Sequence, residues 1–280
     1  MGDAAVDGAE AAGLAEAVGE ALADSEAGIP AEGALQVAGD GWRVTMEKKL
    51  TQLVEKIGAA LGDRIISVVL YGSGASGEHH GKFSDLNVLC VLSRITVAEL
   101  ADAEPVVKWW RGEGNPSPLL LSREEVRAST DVFAIEFHDM IEQRRVLWGE
   151  DVIAGIEIDR TFYRAQVEHD LLSNLLRLRQ KAAAIVGDGD ALLALMADSV
   201  STFCVLLRHV LLLAGIAPGV KKREIVGHLG KIGVEAAPFT RLLDVREGLA
   251  RAKEIAARPL FEEYLAAVDS AVEFVDRLAK

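Results

Sequence analysis

A glycine-rich turn in the first half of the sequence has the residue types that can hold a phosphate group. Gly72, Ser73 and Gly74 directly follow the apolar run at residues 65–71, whose composition predicts a buried strand. Glycine lets the backbone turn sharply and approach a ligand closely, and successive backbone amides can surround phosphate oxygens. We therefore interpret these three residues as a phosphate-binding turn, with an ordinary strand-to-loop turn as the alternative.

A second group of polar residues begins the next predicted strand, at residues 86–92. Asp85 and Asn87 are two positions apart, so their side chains point to the same face of that strand. A carboxylate and an amide carbonyl are oxygen ligands of the kind that Mg²⁺ prefers, although Asn87 brings no negative charge. In the loop before them, Lys82 and Ser84 are candidates to contact a phosphate. The alternative for Asp85 is an acid that caps the loop.

The order and spacing of these two groups resemble a known signature. Eleven residues separate Ser73 from Asp85, and the pattern is an apolar residue, Gly, Ser, a loop, Asp, an apolar residue and then a second polar ligand. It resembles the signature of the nucleotidyltransferase superfamily, which includes the aminoglycoside and the minimal nucleotidyltransferases. The sequence departs from that signature at Asn87, where the family has a second carboxylate.

The resemblance implies a function and a set of roles. It implies that the protein binds a nucleoside triphosphate, which we expect to be ATP, together with Mg²⁺ held by Asp85 and Asn87. It also implies that the protein transfers a nucleoside monophosphate from this nucleotide to a hydroxyl group of an unknown acceptor. Asp85 and a third acid on a later strand would be catalytic. Glu136 is the best candidate for that acid, because residues 132–138 read as a strand with Phe133, Ile135 and Phe137 on the opposite face.

The remaining elements predict an α+β protein with two domains. A mixed sheet with flanking helices, of the nucleotidyltransferase fold, is expected at residues 42–155. From residue 156 to 280 the strand signals disappear and apolar stripes at helical spacing predict an all-α helical bundle. Residues 1–41, rich in Ala, Gly and acids, predict a disordered tail.

Charge and composition narrow the range of partners. Residues 1–42 carry nine acids and no Lys or Arg, whereas residues 43–280 hold 34 acids and 30 bases. A nearly neutral body argues against binding to duplex nucleic acid, and charges interrupt the most apolar stretch, so no membrane partner is expected. Cys90 and Cys204 lie in apolar runs, which favours buried free thiols and a cytoplasmic protein. The sequence does not fix the oligomeric state, and a homodimer is one of the options.

Three hypotheses for the function follow from these residues. The first is a Mg²⁺-dependent nucleotidyltransferase. The second is a regulatory module of the same fold that binds a nucleotide or a partner but is catalytically impaired. The acidic tail and Asn87 fit this second hypothesis as well as they fit the first. The third is a ribonuclease seated in the helical half, because the four-residue spacing between Arg223 and His228 loosely resembles that of the HEPN ribonucleases.

Overall fold

The computed structural model of the protein describes residues 41–76 and 86–278, without the side chains of residues 41, 42 and 76. Lys82, Ser84, Asp85 and residues 1–40 of the tail predicted at residues 1–41 lie outside the described residues, whereas Gly41 is the first residue of a helix. The described chain falls into two compact units, residues 41–158 and residues 159–278. Each unit has its own helices and its own buried core, so the two are described separately.

The first unit is built on a mixed four-stranded sheet. The strands are β1 (Ile65–Tyr71), β2 (Asn87–Leu92), β3 (Leu119–Ser122) and β4 (Arg144–Gly149). Their order in the sheet is β3-β2-β1-β4. Central strand β1 is antiparallel to both of its neighbours, and β2 is parallel to β3. The two strands predicted on either side of the glycine-rich turn are therefore adjacent in the sheet.

The helices of this unit are α1 (Gly41–Leu61), α2 (Ser73–Ser76), α3 (Val97–Gly112), α4 (Arg123–Ala128) and α5 (Ala134–Glu142). Local sequence signals mark three of their ends. Gly62, with a φ of 55°, follows the end of α1. Capping boxes of Thr96 with Glu99 and of Ser122 with Glu125 open α3 and α4, because each pair satisfies backbone amides that the first helical turn leaves unbonded.

The two faces of the sheet bury different helices. On one face, Ile57 of α1 and Trp110 of α3 belong to the same core cluster as Val68 and Cys90. On the other face, Phe137 and Met140 of α5 cluster with Val69. Since side chains alternate between the faces of a strand, even-numbered residues at the end of β1 face α1, and odd-numbered residues face α5.

The prediction of a strand at residues 132–138 is wrong. Ala134–Glu142 is helix α5, and the fourth strand is formed by Arg144–Gly149 instead. Phe133, Phe137 and Met140 all lie in the core under the sheet, at a spacing of four and then three residues. That is the period of a helix face, and the alternation of apolar residues over five positions was too short to distinguish the two patterns.

The second unit is a helical bundle, as predicted. The helices are α6 (Tyr163–Ala183), α7 (Gly189–Leu213), α8 (Lys222–His228), α9 (Ala237–Arg246) and α10 (Ala257–Arg277). The longest, α7, contacts α6, α8, α9 and α10, and Phe203 of α7 meets Tyr264 of α10 edge to face. Among the described residues α7 is the one helix long and apolar enough to cross a membrane, but half of its most apolar stretch is buried in the structure.

Candidate functional site

The glycine-rich turn directly follows the central strand of the sheet. Gly72 has a φ of 72°, a conformation that residues with a side chain rarely adopt. Its amide donates a hydrogen bond to the carbonyl of Gln143 (3.0 Å), and its carbonyl accepts one from the amide of Ala75 (2.9 Å). The chain then continues into α2, in which Ser73 is half-buried and Gly74 is buried. A fixed, tightly bonded turn therefore stands at the end of β1.

Asn87 lies directly beside this turn. It opens β2 and pairs with Tyr71 in the antiparallel register. A Cβ atom placed on Gly72 would lie 3.5 Å from the Nδ2 atom of Asn87, so the space above Gly72 is bordered by this amide. Because Val88 packs on the α1 side of the sheet, Asn87 faces the α5 side together with Tyr71.

Glu136 reaches the same side of the sheet from helix α5 rather than from a strand. It lies in the first turn of α5 and is half-buried. The pKa of the Tyr71 hydroxyl is raised, first because the group loses contact with water and second because of the negative charge of Glu136. The carboxylate of Glu136 is therefore close enough to Tyr71 to act on it electrostatically.

The structure thus brings together part of the predicted set. Gly72 and Asn87 lie beside Tyr71 at one end of β1, and Glu136 on α5 comes close enough for its charge to raise the pKa of the Tyr71 hydroxyl. Asp85, two residues before Asn87 in the sequence, is outside the described residues, as are Lys82 and Ser84.

Two residues of this region were not singled out in the sequence. Tyr71 lies at the centre of the site and could have been found from its position before the glycine turn. Arg144 pairs with Tyr71 from the other neighbouring strand. No local signal identifies Arg144, since its place depends on how β4 pairs with β1.

The residues behind the ribonuclease hypothesis lie in the second unit. The guanidinium group of Arg223 forms ion pairs with Asp244 (2.7 Å) and Glu247 (2.6 Å), and hydrogen bonds to both carboxylates raise its pKa. His228 is the last residue of α8. With both carboxylates on its guanidinium, Arg223 is engaged in linking α8 to α9, a structural role.

Comparison with known proteins bears on the fold. No protein-family model matches the sequence, and no curated protein matches it. Among solved structures, the chain is similar to a spectinomycin adenyltransferase from Enterococcus faecialis, solved with ATP and spectinomycin. The TM-score is 0.54 and the identity 12%, over 82% of this chain and 99% of that one. The chain has the α+β nucleotidyltransferase fold, followed by a helical C-terminal region.

Proposed function

We propose that this protein binds a nucleoside triphosphate, ATP by preference, at the Gly72 turn and transfers the nucleoside monophosphate to a hydroxyl group of an acceptor. One observation carries the proposal: the Gly72 turn and Asn87 lie side by side at one end of the central strand, where the charge of Glu136 also acts on Tyr71. The signature around Asp85 and the fold shared with an adenyltransferase solved with ATP support it. Residues 42–155 would form the nucleotide-binding domain and residues 156–280 would shape the acceptor site.

The residues of this face fit a magnesium ion that a nucleotide carries in with it. Mg²⁺ keeps several of its waters and is bound in nucleotide sites by one or two carboxylates together with phosphate oxygens. The amide oxygen of Asn87 and the carboxylate of Asp85, which the motif supplies, would hold the ion, and Glu136 adds a negative charge close to this end of the strand. When bound, the ion would neutralise charge on the triphosphate.

The side chains of the site would divide the remaining work. Gly72 has no side chain, which leaves room for a phosphate to approach the turn beside Asn87. Ser73 and Gly74, with Lys82 and Ser84 from the loop, would hold phosphate oxygens. Phosphoryl-type transfer needs mainly positioning and charge stabilisation, with a base for the incoming hydroxyl group. We assign that base to Glu136, with Asp85 as the second catalytic carboxylate.

A regulatory nucleotide-binding module is the second candidate, and the amide at Asn87 favours it. The site has one negative charge fewer than the family signature, which weakens its hold on a second metal ion. Both candidates require nucleotide binding and differ in turnover. We propose a cytoplasmic location for either, since Cys90 and Cys204 are both free and buried thiols.

The test compares nucleotide binding by Gly72→Ala and Gly155→Ala. The two glycines have φ values of 72° and 76°, and no atom lies within 4 Å of a Cβ placed on Gly155. Each substitution should cost about 1–2 kcal/mol of backbone strain, so the pair is matched in stability. Ligand at 100 times its Kd stabilises a protein by about 2.7 kcal/mol, which thermal unfolding detects readily. We expect MgATP to raise the Tm of the wild type and of Gly155→Ala, but not of Gly72→Ala.

Two results would count against the proposal. No Tm shift of the wild type with any nucleoside triphosphate and Mg²⁺ would overturn it, and equal shifts in the two variants would remove Gly72 from the binding site. If binding is found, α-labelled ATP is offered with a panel of hydroxyl acceptors that includes aminocyclitols. Labelled product supports the transferase, whereas binding without product from any acceptor supports the regulatory module.

A further inference from the structure

The carboxyl-terminal end of helix α5 is closed by a side chain from the following strand. The last carbonyl groups of a helix have no partner within it and must be satisfied from outside. Nη1 of Arg144 donates a hydrogen bond to the carbonyl of Ile141 at 2.5 Å. A positive charge at this end of a helix is also favourable, because the helix dipole is negative there. Arg144 therefore holds the end of the helix that carries Glu136.

Arg144 is itself fixed by a carboxylate. Its Nε and Nη2 atoms donate to the two oxygens of Asp151, each at 2.9 Å, which is the paired geometry that a planar guanidinium provides. Asp151 in turn accepts hydrogen bonds from the amides of Ile153 and Ala154, so its position is set by the turn after β4. The side chain of Arg144 is only 20% exposed. It therefore has little freedom to move.

The segment held by Arg144 also holds the glycine turn. Gln143 lies between Ile141 and Arg144 in the chain, and its carbonyl accepts the hydrogen bond from the amide of Gly72. Arg144 is also the register partner of Tyr71, the residue before Gly72. One arginine thus fixes the short segment that joins helix α5 to the turn at the end of β1.

We propose that Arg144, locked by Asp151, is a positioning residue that sets the placement of the Gly72 turn relative to helix α5, and with it the affinity of the site for a nucleoside triphosphate. The inference rests on the proposed function and deepens it. Lysine cannot replace Arg144, because a single ammonium group cannot bond both oxygens of Asp151 and the carbonyl of Ile141 in one fixed geometry.

The chain offers a matched control in the next residue. Arg145 forms a similar two-point ion pair, with Glu47 at 2.6 and 3.1 Å, but pairs with Leu70 and so faces the α1 side of the sheet. Arg145→Ala removes the same kind of side chain and ion pair from the same strand. It leaves the segment between α5 and Gly72 intact.

The experiment uses two measurements on Arg144→Ala, Arg144→Lys and Arg145→Ala. Titration calorimetry gives the Kd for MgATP, and amide hydrogen exchange followed by NMR gives the protection of the Gly72 amide, which does not depend on the function. Because the loss of Arg144 frees the segment that joins α5 to the Gly72 turn, we expect both Arg144 variants to bind MgATP about tenfold more weakly, which is about 1.4 kcal/mol. Gly72 should exchange about tenfold faster in them. Arg145→Ala should stay within about twofold of the wild type in both.

The outcomes separate this inference from the function on which it rests. If the wild type does not bind MgATP, the proposed function fails and the role in affinity fails with it, while Gly72 exchange still reports on the link to Arg144. If the wild type binds and Arg144→Ala matches Arg145→Ala in Kd or in Gly72 exchange, the positioning role is overturned. Arg144→Lys decides the question should Arg144→Ala fail to fold.

Discussion

The substitution Gly149→Ala tests how closely strand β4 approaches the central strand. Gly149 has a φ of 79° and pairs with Ser67 of β1. A Cβ atom on Gly149 would lie 2.1 Å from the carbonyl oxygen of Ile66, far inside the sum of the atomic radii. The backbone fixes the position of a Cβ atom, and the atom it would meet is a backbone oxygen, so no side-chain rotation can relieve the overlap and the strands must separate.

The size of the effect can be worked out from the bonds that this separation breaks. The positive φ alone should cost about 1–2 kcal/mol for alanine. Moving the strands apart also weakens the bond from the Glu150 amide to the Ile66 carbonyl and the one from the buried Ser67 hydroxyl to the Glu150 carbonyl (2.6 Å), each worth about 1 kcal/mol. We therefore expect Gly149→Ala to lower the free energy of unfolding by about 3–4 kcal/mol.

Gly155→Ala is the control, since Gly155 has a φ of 76° and a Cβ atom placed on it would have no neighbouring atom within 4 Å. It should lose only the conformational part, about 1–2 kcal/mol. Urea unfolding followed by tryptophan fluorescence measures both variants, and all four tryptophans lie between residues 42 and 148, so the signal reports on the first unit. If the free energies of unfolding of the two variants differ by less than about 0.5 kcal/mol, the steric argument is refuted, because unrelated surface substitutions vary by that much.

Two further predictions concern titratable groups in the same unit. The pKa of Glu99 is lowered from 4.5 to about 2, first by the hydrogen bond that its carboxylate accepts from the Thr96 hydroxyl. The ionised Glu99 therefore stabilises the fold fully above pH 4.5, and this stabilisation is lost as the pH falls towards 2. Glu99→Gln should flatten this acid limb in a series of urea midpoints, and an unchanged limb would refute the assignment. Burial raises the pKa of the Cys90 thiol to about 12, and Cys204 is also buried. We therefore expect a thiol-specific disulfide reagent at pH 8 to leave the native protein unlabelled and to label both cysteines in urea. Rapid labelling of the native protein would contradict the burial of these thiols.

The sequence predicted what depends on neighbouring residues and missed what depends on the fold. Strands β1 and β2 and the turn at Gly72 follow from short patterns, and the structure has them all. Glu136 was placed near the site on the wrong element, because alternating apolar residues over a short window fit a strand as well as a helix. Arg144 was missed because its importance comes from pairing between β4 and β1, distant in the chain.

The hydrogen bonds of the Gly72 turn also limit how a ligand could be held there. The amide of Gly72 already donates a hydrogen bond to the carbonyl of Gln143, and the carbonyl of Gly72 already accepts one from the amide of Ala75. This glycine therefore has no donor to spare, and its contribution must be one of shape. Replacing the Gly72 amide with an ester should therefore loosen the junction between strand and helix without removing a donor that a ligand could use. In this turn the architecture depends on the Gly72 hydrogen bonds, and the chemistry depends on other groups.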